Sequence, residues 1–458
     1  MSAPQGADNE EIFALPWDGG QYLLYAPLRR VAAVVNRAAA LSAGRALNGA
    51  PTASPADLAV ARQLQESGFC VGPAPHPPVA PEDYVFRPYE VTLFPTTRCN
   101  LRCTYCYADG GKPGPELPWP HAKAAIDLVA ENASLAGRDA FVVGFHGGGE
   151  PTLAWDMVCR CVLYAEQRAR DSGLKVNVFA ASNGLLTAEQ RDFVAQHFVG
   201  LNISLDGPQD IQDRQRPRLD GRGSFSEVMA TIQHFEQLQF AYGVRATVTA
   251  RSAPHLSRLV SFFHQECPSL RQLHVEPVWC CGRCQRSGEQ PPADGEFTRY
   301  FLEAWEEARE LGLRLVYSGA RLDVITNRFC AAAGEGFSVT PDGTVTSCFE
   351  VIDPLDPRAA VFHYGRFDQT TERYTFNAER LCGLRMLTVD HLAHCCDCFC
   401  KWHCAGDCLA KALGGGEPAR HRGSIRCKLN RALTLAELRR VVGNTRGGSD
   451  NSRMEERG

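Results

Sequence analysis

Short apolar runs alternate with longer amphipathic stretches through the middle of the chain. Between Glu90 and Val278, six runs predict strands: EVTLF, AFVVGFH, VNVFAAS, LNISLD, VRATVTA and QLHVEPV. Helical patterns such as WDMVCRCVLYAEQRA separate them, and capping boxes at Thr187–Gln190 and Ser224–Glu227 indicate where two helices begin. Six successive βα units predict an α/β fold with a parallel sheet, either open or barrel-like.

A polar signature follows each predicted strand. A loop with three cysteines follows the first strand, GGGEP the second, SNG the third and DGP the fourth, while ARS and EP end the last two. The carboxyl ends of parallel strands meet at one edge of a sheet, and active sites of such folds lie there. The sequence therefore predicts an active site at that rim.

The flanking regions differ from this pattern. Residues 1–80 predict a small N-terminal α+β module, and the proline-rich VGPAPHPPVAPEDY predicts a linker with a boundary near Pro81. The core occupies 88–290, and an amphipathic connecting helix lies within 291–325. Cysteine, glycine and turn residues predict a metal-bound domain over 326–436, and the polar residues 437–458 predict a disordered tail.

Composition excludes several functional classes. With 48 basic and 52 acidic residues, the net charge of −4 offers no broad surface for nucleic acid or anionic membrane. No run approaches the roughly 20 apolar residues of a membrane helix, and the start MSAPQGADNEE does not resemble a signal peptide. We therefore expect a cytoplasmic protein, in which 20 cysteines favour metal binding or catalysis over disulfides.

The loop FPTTRCNLRCTYCYADGG carries Cys99, Cys103 and Cys106. Three thiolates on one loop can hold three irons of a 4Fe-4S cluster and leave the fourth iron open. The alternative is a zinc site completed by His121 or His146, although zinc sites usually show paired Cys-x2-Cys segments. The spacing after a strand favours the cluster.

The spacing Cys-x3-Cys-x2-Cys, with the aromatic Tyr105 before the last cysteine, resembles the signature of the radical S-adenosylmethionine (radical SAM) family. The resemblance implies that S-adenosylmethionine binds the open iron through its amino and carboxylate groups. One electron then cleaves it to methionine and a 5′-deoxyadenosyl radical. A partial (β/α)6 TIM-like barrel and a flavodoxin- or ferredoxin-type electron donor are also implied.

Two further segments resemble cofactor-binding positions of this family. The GGGEP turn matches its methionine-binding turn, where glycines allow close approach to the backbone and Glu150 accepts a hydrogen bond from an ammonium group. Ser182 and Asn183 match residues that contact the carboxylate or ribose. With the positions described next, the implied cofactor-binding set is Tyr105, Gly148, Gly149, Glu150, Ser182, Asn183 and Arg216.

Asp206 in SLDGP and Arg216 in IQDRQR also match family positions, although the family usually has a histidine where Gln212 stands. Asp206 is the one candidate for a catalytic residue. The alternative for these residues is ordinary turn and capping chemistry.

A second cysteine set has the spacings Cys-x12-Gly-x4-Cys and Cys-x2-Cys-x5-Cys-x3-Cys, and it resembles the SPASM domain. The resemblance implies one or two auxiliary 4Fe-4S clusters. One would be held by Cys395, Cys398, Cys404 and Cys427. Another would be held by Cys330, Cys348 and Cys408, and it is either open at one iron or closed by Cys382. The alternative is a zinc-ribbon-like domain.

The run WCCGRC places Cys281 and Cys284 directly after the sixth predicted strand. A redox pair, a substrate-capturing thiol and a further metal site are all open interpretations of this pair.

The SPASM resemblance implies an enzyme that removes hydrogen from a ribosomally made precursor peptide and leaves a thioether or carbon–carbon crosslink, or another modification. The N-terminal module is similar to small winged domains that bind a leader peptide as an added strand, and a structural cap is the alternative. Other functions consistent with the sequence are formylglycine formation as in anaerobic sulfatase maturases, radical modification of a small molecule, and a non-catalytic zinc-stapled binding protein.

Overall fold

The computed structural model describes residues 11–47, 54–70, 72–77, 85–412 and 426–447. Within these ranges the strands form one three-stranded sheet and one eleven-stranded mixed sheet. None of the helices in these ranges is long and apolar enough to cross a bilayer. The predicted boundary near Pro81 lies outside the described residues.

The N-terminal module is an antiparallel sheet with two helices. Its strands are β1 (Phe13–Pro16), β2 (Tyr22–Ala26) and β3 (Val31–Val35), paired in that order, and its helices are α1 (Arg37–Leu47) and α2 (Pro55–Glu66). Strands and helices are both present, as expected for an α+β module, but nothing in the sequence indicated β3, because VAAVV lacks the polar alternation that marks a half-buried strand.

The two faces of β2 pack against two different parts of the molecule. Leu24 and Ala26 belong to a core formed with α1 and α2, whereas Leu23 and Tyr25 pack against the C-terminal domain near Phe399. Because successive side chains of a strand alternate between faces, one short strand joins the module's own core to the rest of the molecule.

Six parallel strands form the central barrel-like sheet, as predicted. They are β4 (Glu90–Leu93), β5 (Ala140–Phe145), β6 (Lys175–Ser182), β7 (Gly200–Ser204), β8 (Tyr242–Val248) and β9 (Gln272–Pro277), and β10 (Arg314–Val316) joins β9 in parallel. Helices cover one face: α3 (Trp119–Leu135), α4 (Trp155–Ser172), α5 (Ala188–His197), α6 (Gln209–Gln215), α7 (Phe225–Leu238), α8 (Leu256–Glu266), α9 (Cys284–Ser287) and α10 (Asp294–Glu310).

Local capping signals are only partly reliable. The box at Thr187 and Gln190 is confirmed, since each side chain binds the other's backbone N–H. Ser224 does not cap α7; its hydroxyl donates to the Arg216 carbonyl at 2.7 Å. A tertiary hydrogen bond therefore replaces the predicted local one.

The C-terminal domain continues the central sheet. Strand β11 (Ser338–Val339) pairs in parallel with β4, and β12 (Thr344–Thr346), β13 (His363–Asp368) and β14 (Arg373–Phe376) follow in antiparallel order. Its helices are α11 (Ala359–Phe362), α12 (Ala378–Arg385), α13 (Lys401–Cys404), α14 (Leu409–Ala412) and α15 (Cys427–Gly447).

The prediction of a disordered tail from residue 437 is wrong for 437–447, because α15 continues to Gly447. Leu438 is fully buried, and Val441 and Val442 pack in the same cluster as Tyr25 of the N-terminal sheet. Residues 437–447 contain few apolar side chains, so the sequence did not reveal that these side chains form a stripe along the helix. A segment that is distant in the sequence buries this stripe. Residues 448–458 lie outside the described ranges.

Candidate functional site

The three predicted cysteines of the first loop lie together at the carboxyl end of β4. A Cβ atom built on Gly110 would lie 3.1 Å from Cβ of Cys99 and 3.8 Å from Sγ of Cys106. The Gly110 N–H donates to Sγ of Cys106 at 3.4 Å, and the Cys106 N–H donates to the Cys103 carbonyl at 3.2 Å. The loop thus folds its thiols around a shared position.

The chemistry of these thiols fits an iron-sulfur cluster. Burial raises the pKa of Cys99 to about 11 and that of Cys103 to about 12, and the neighbouring thiols add to both shifts. Crowded, buried thiols of this kind are held as thiolates only when a positive centre lies among them, and iron supplies one. His121 lies elsewhere, with its ring 4.3 Å from that of Phe367.

Glu150 connects the glycine turn to the end of β6. Its Oε1 accepts hydrogen bonds from the hydroxyls of Ser182 and Thr152, both at 2.9 Å, and its Oε2 accepts one from the Asn183 N–H at 2.7 Å. Burial raises the pKa of this carboxyl, and the hydrogen bonds oppose the shift. Glu150, Ser182 and Asn183 therefore form one unit, and Asn183 Nδ2 also donates to Asn100 of the cysteine loop at 2.7 Å.

The glycines of the turn fit tightly, each against a different neighbour. A Cβ on Gly149 would lie 2.2 Å from the Arg98 carbonyl oxygen, and one on Gly148 would lie 2.4 Å from Cδ1 of Ile352. Gly149 thus has to be glycine because the cysteine loop's backbone passes next to it. Gly148 faces the C-terminal domain.

Tyr105, Asp206 and Arg216 form a buried cluster behind the cysteine loop. The Tyr105 hydroxyl donates to Asp206 Oδ2 at 2.6 Å and accepts from Arg216 at 2.9 Å. Gln215 donates to Asp206 Oδ2 at 2.7 Å and the Thr247 N–H donates to its Oδ1 at 2.9 Å. Burial raises the pKa of the Asp206 carboxyl, and the Arg216 guanidinium opposes that shift.

The side chain of Arg216 keeps one donor free within the described residues. Its Nε is buried and has no hydrogen-bond partner there, while the group interacts electrostatically with Cys103. A buried, unpaired guanidinium N–H beside the cysteine loop fits a ligand carboxylate. Gln212 instead supports the fold, because its Oε1 accepts from the Asp206 N–H at 2.9 Å.

The segment WCCGRC lies against the cysteine loop, which the sequence did not reveal. The Arg283 N–H donates to the Cys106 carbonyl at 2.9 Å, and its guanidinium donates to the Cys103 carbonyl at 3.1 Å and pairs with Asp109 at 3.2 Å. A Cβ on Gly282 (φ +54°) would lie 2.3 Å from the Tyr107 carbonyl oxygen. Arg283 thus positions the loop, and the adjacent Cys-x2-Cys was its only sequence signal.

Tyr107 joins the cysteine loop to the C-terminal domain. Its hydroxyl oxygen lies 3.2 Å from the carbonyl oxygen of Gly147 and 3.4 Å from that of Phe349, so its single proton can be donated to either. The Phe349 ring stacks on His146, with ring centres 4.5 Å apart. The segment that begins with Cys348 therefore lies over the glycine turn.

Seven thiols of the C-terminal domain fall into the two predicted groups. Burial raises the pKa of Cys395 to about 12, and three of its assigned partners, Cys398, Cys404 and Cys427, add to the shift. Burial also raises the pKa of Cys408 to about 12, and Cys330 contributes to this shift. Cys348 interacts electrostatically with both Cys408 and Cys330.

Two further thiols of this domain, Cys382 and Cys400, lie in different surroundings. Cys382 lies exposed on α12, and its thiol forms no hydrogen bond within the described ranges. Cys400, which was assigned to neither group from the sequence, is buried with its sulfur 3.4 Å from that of Cys398. In the described part of the chain, no set of three or more His, Cys, Asp or Glu side chains surrounds a single-ion position.

Residues 93–249 match the model of the radical SAM superfamily. A serine-type anaerobic sulfatase-maturating enzyme of Klebsiella aerogenes is 25% identical over 359 residues, which cover 74% of this chain and 84% of that protein. The sporulation killing factor maturation protein SkfB of Bacillus subtilis (strain 168) is 26% identical over 276 residues, 57% of this chain and 60% of that protein.

Solved structures share the fold. The structure of native anSMEcpe with bound AdoMet aligns with a TM-score of 0.62 at 16% identity, covering 78% of this chain and 99% of that one. Streptococcus suis SuiB bound to precursor peptide SuiA aligns with a TM-score of 0.54 at 14% identity, covering 91% of this chain and 98% of that one. The partial barrel with its C-terminal domain is therefore the architecture expected from the sequence.

The cysteine loop, the glycine turn and the unpaired Arg216 donor lie at one rim of this sheet, inside the segment that matches the superfamily. The chain is a radical SAM enzyme that uses 4Fe-4S clusters and S-adenosylmethionine, and it is related to anaerobic sulfatase-maturating enzymes and to maturases of ribosomal peptides.

Proposed function

We propose that this enzyme modifies a precursor peptide, most directly by forming a thioether or carbon–carbon crosslink. The observation that carries the proposal is the N-terminal sheet packed directly on the C-terminal cysteine domain. Edge strands β1 and β3 each have one side without a partner strand in the described sheet. An extended leader peptide can add to such an edge by main-chain hydrogen bonds.

The cofactor would be held by residues from four strand ends. Cys99, Cys103 and Cys106 would bind the cluster, and the 147–150 turn and Asn183 would hold the amino group and ribose of S-adenosylmethionine. The free Nε of Arg216 would bind its carboxylate. When bound, these groups supply a 5′-deoxyadenosyl radical, which removes hydrogen from a carbon of the peptide.

The chain's own residues fix and enclose that site. Glu150 holds the Ser182 hydroxyl and the Asn183 N–H, so it sets the position of the β6 end. Asp206 is fully buried, and both of its carboxylate oxygens are hydrogen-bonded within the protein. We assign Asp206 as a positioning residue for Tyr105 and Arg216 rather than as a base.

The C-terminal thiols would hold the auxiliary clusters. Cys395, Cys398, Cys404 and Cys427 would form a complete ligand set. Cys330, Cys348 and Cys408 would supply three ligands. We favour an open corner because, among the described residues, the groups with the largest influence on the pKa of Cys348 and Cys408 include Cys330 but not Cys382. A reduced flavodoxin- or ferredoxin-type protein would be the electron donor.

Formylglycine formation is the second candidate, because the sulfatase-maturating relative covers 74% of this chain. A crosslink and a serine-derived formylglycine both remove two hydrogens, so mass alone does not separate them. The aldehyde of formylglycine reacts with hydrazide reagents, whereas a crosslink does not and instead blocks fragmentation between the joined residues.

The test is co-expression with any short peptide that is encoded beside the gene, followed by tandem mass spectrometry. We expect a peptide that has lost two hydrogens, is inert to hydrazide and shows a fragmentation gap. The matched control is Cys103→Ala, which should return unmodified peptide. Unmodified peptide from an iron-loaded wild-type enzyme that still forms 5′-deoxyadenosine would contradict the peptide assignment.

A further inference from the structure

Arg245 lies on the inner face of the barrel sheet. On β8 the alternate residues Val244, Ala246 and Val248 are buried against the helices, at 3%, 0% and 0% exposure. Because strand residues alternate between faces, Arg245 points the other way, and it is exposed there. It pairs in register with Ser204 of β7 and His274 of β9.

The charge of Arg245 is not neutralised by a direct contact. Within the described residues its guanidinium forms no ion pair and no hydrogen bond. Glu276 on β9 interacts with it electrostatically, but its carboxylate is already held by His274 at 2.9 Å and Arg426 at 3.2 Å. A cation on the inner face of the barrel without its own counter-ion favours an anionic ligand.

Arg216 and Arg245 interact with different groups of the site. Arg216 interacts with Cys103, Tyr105 and Asp206, on the side of the cysteine loop. Arg245 interacts with Tyr107, His146 and Glu276, on the side that the C-terminal domain covers. The cofactor carboxylate therefore has its own cation, and Arg245 is left for another ligand.

The wall beside Arg245 is largely uncharged. Burial lowers the pKa of His146 to about 4, with Arg245 contributing, so this imidazole is neutral near pH 7. Its ring stacks on Phe349, which is 39% exposed. An exposed phenyl ring near one unpaired guanidinium suits a peptide with an apolar side chain and a carboxylate.

We propose that Arg245 binds a carboxylate of the peptide substrate, either an aspartate or glutamate side chain or the C-terminus, and thereby places the reacting residue in the barrel. This proposal rests on the proposed peptide substrate, and it identifies a carboxylate as the group by which the enzyme recognises that peptide. A guanidinium holds a carboxylate with two parallel hydrogen bonds, which fixes orientation as well as position.

The test uses anaerobically reconstituted full-length enzyme with S-adenosylmethionine, panned against a phage-displayed library of random dodecapeptides. We expect the wild type to select peptides with at least about twofold more Asp and Glu than the starting library. Arg245→Gln should lose this preference, Arg245→Lys should keep part of it, and Arg245→Glu should select Lys and Arg instead. Arg271→Gln, which removes an exposed charge before β9, is the control and should behave as wild type.

Iron content and equilibrium dialysis with S-adenosylmethionine accompany the selection. We expect both to match the wild type within about twofold in Arg245→Gln. Equal acidic preference in every variant, or no preference in the wild type, overturns the proposal. So does a tenfold loss of S-adenosylmethionine affinity in Arg245→Gln, which would assign the side chain to the cofactor. Absence of 5′-deoxyadenosine from the wild type would instead refute the proposed function, because peptide selection does not require turnover.

Discussion

The hydroxyl of Tyr25 lies 2.5 Å from Nε2 of His403, and the two rings stack with their centres 6.0 Å apart. Tyr25 is on the central strand of the N-terminal sheet, and His403 directly precedes Cys404 in the predicted cluster segment. Trp402 adds a hydrogen bond from Nε1 to Glu11 at 2.5 Å. The N-terminal sheet is therefore attached by hydrogen bonds to residues next to Cys404, one of the cysteines assigned to an auxiliary cluster.

Tyr25→Phe should loosen this attachment. The change leaves Nε2 of a fully buried His403 without its partner, which costs about 1–3 kcal/mol. We expect faster hydrogen exchange in residues 13–35, measured by mass spectrometry. Tyr22→Phe is the control, since the Tyr22 hydroxyl forms no hydrogen bond within the described residues; equal exchange in both variants would contradict the role of Tyr25.

Glu437 should make stability fall as pH rises. Burial, assisted by Asp323, raises the pKa of this carboxyl from its ordinary value of 4.5 to about 7. The folded protein then holds a proton that the unfolded chain releases, so stability is lost between about pH 4.5 and pH 7 and is constant above that window.

Glu437→Gln should remove this pH dependence and raise stability at about pH 8 by about 1–3 kcal/mol. Thermal unfolding midpoints at about pH 5 and pH 8 measure the effect. Glu310→Gln, at an exposed position at the end of α10, should leave the dependence unchanged. An unaltered pH profile in Glu437→Gln would disprove the assignment.

Glu150→Ala should weaken S-adenosylmethionine binding by about tenfold or more while iron content stays unchanged, since Asn183 and Ser182 lose their shared acceptor. Equilibrium dialysis of the iron-loaded protein measures the affinity. Glu150→Gln keeps one carbonyl acceptor and should fall between the alanine variant and the wild type. Wild-type affinity in the alanine variant would show that the carboxylate does not organise the site.

Cys398→Ala should retain most of its iron, because the sulfur of Cys400 lies 3.4 Å away and can take the vacant position. Cys398→Ala combined with Cys400→Ala should lose the iron of one cluster, about four atoms per chain. Iron analysis after anaerobic reconstitution measures this, with Cys396→Ala at an exposed position as control. Equal losses in the single and double variants would refute substitution by Cys400.

The two glycines that line the turn should respond differently to alanine. A methyl on Gly149 collides with backbone of the cysteine loop, whereas one on Gly148 collides with the tip of Ile352, a side chain that can move. We expect Gly149→Ala to lose both iron and solubility, and Gly148→Ala to lose only S-adenosylmethionine affinity. Adding Ile352→Ala should restore binding to Gly148→Ala; restoration of Gly149→Ala by the same change would contradict this geometry.

Local periodicity was sufficient to predict the six barrel strands, since each combines an apolar face with a polar carboxyl end. It was insufficient for β3, whose sequence VAAVV has no polar alternation, and for the end of α15, whose apolar residues pack against a segment hundreds of positions away. Sequence spacing also assigned the cysteines to groups, because most members of a group lie close together in the sequence. Tyr107 and Ile352 carried no such signal, because their roles depend on contacts between the core and the C-terminal domain. The role of Arg283 was also not predicted, because it depends on a contact between two loops of the core that are distant in the sequence.

Strand β11 pairs with β4 along Ser338–Val339, so the C-terminal domain covers the edge of the barrel sheet that the first cysteine loop follows. A fragment shortened before this strand would present the backbone of β4 to solvent, where it can pair with another chain. Attempts to prepare the core segment 88–290 by itself should therefore yield aggregates, and exchange of C-terminal domains between related enzymes should succeed only when this strand is included in the exchanged part.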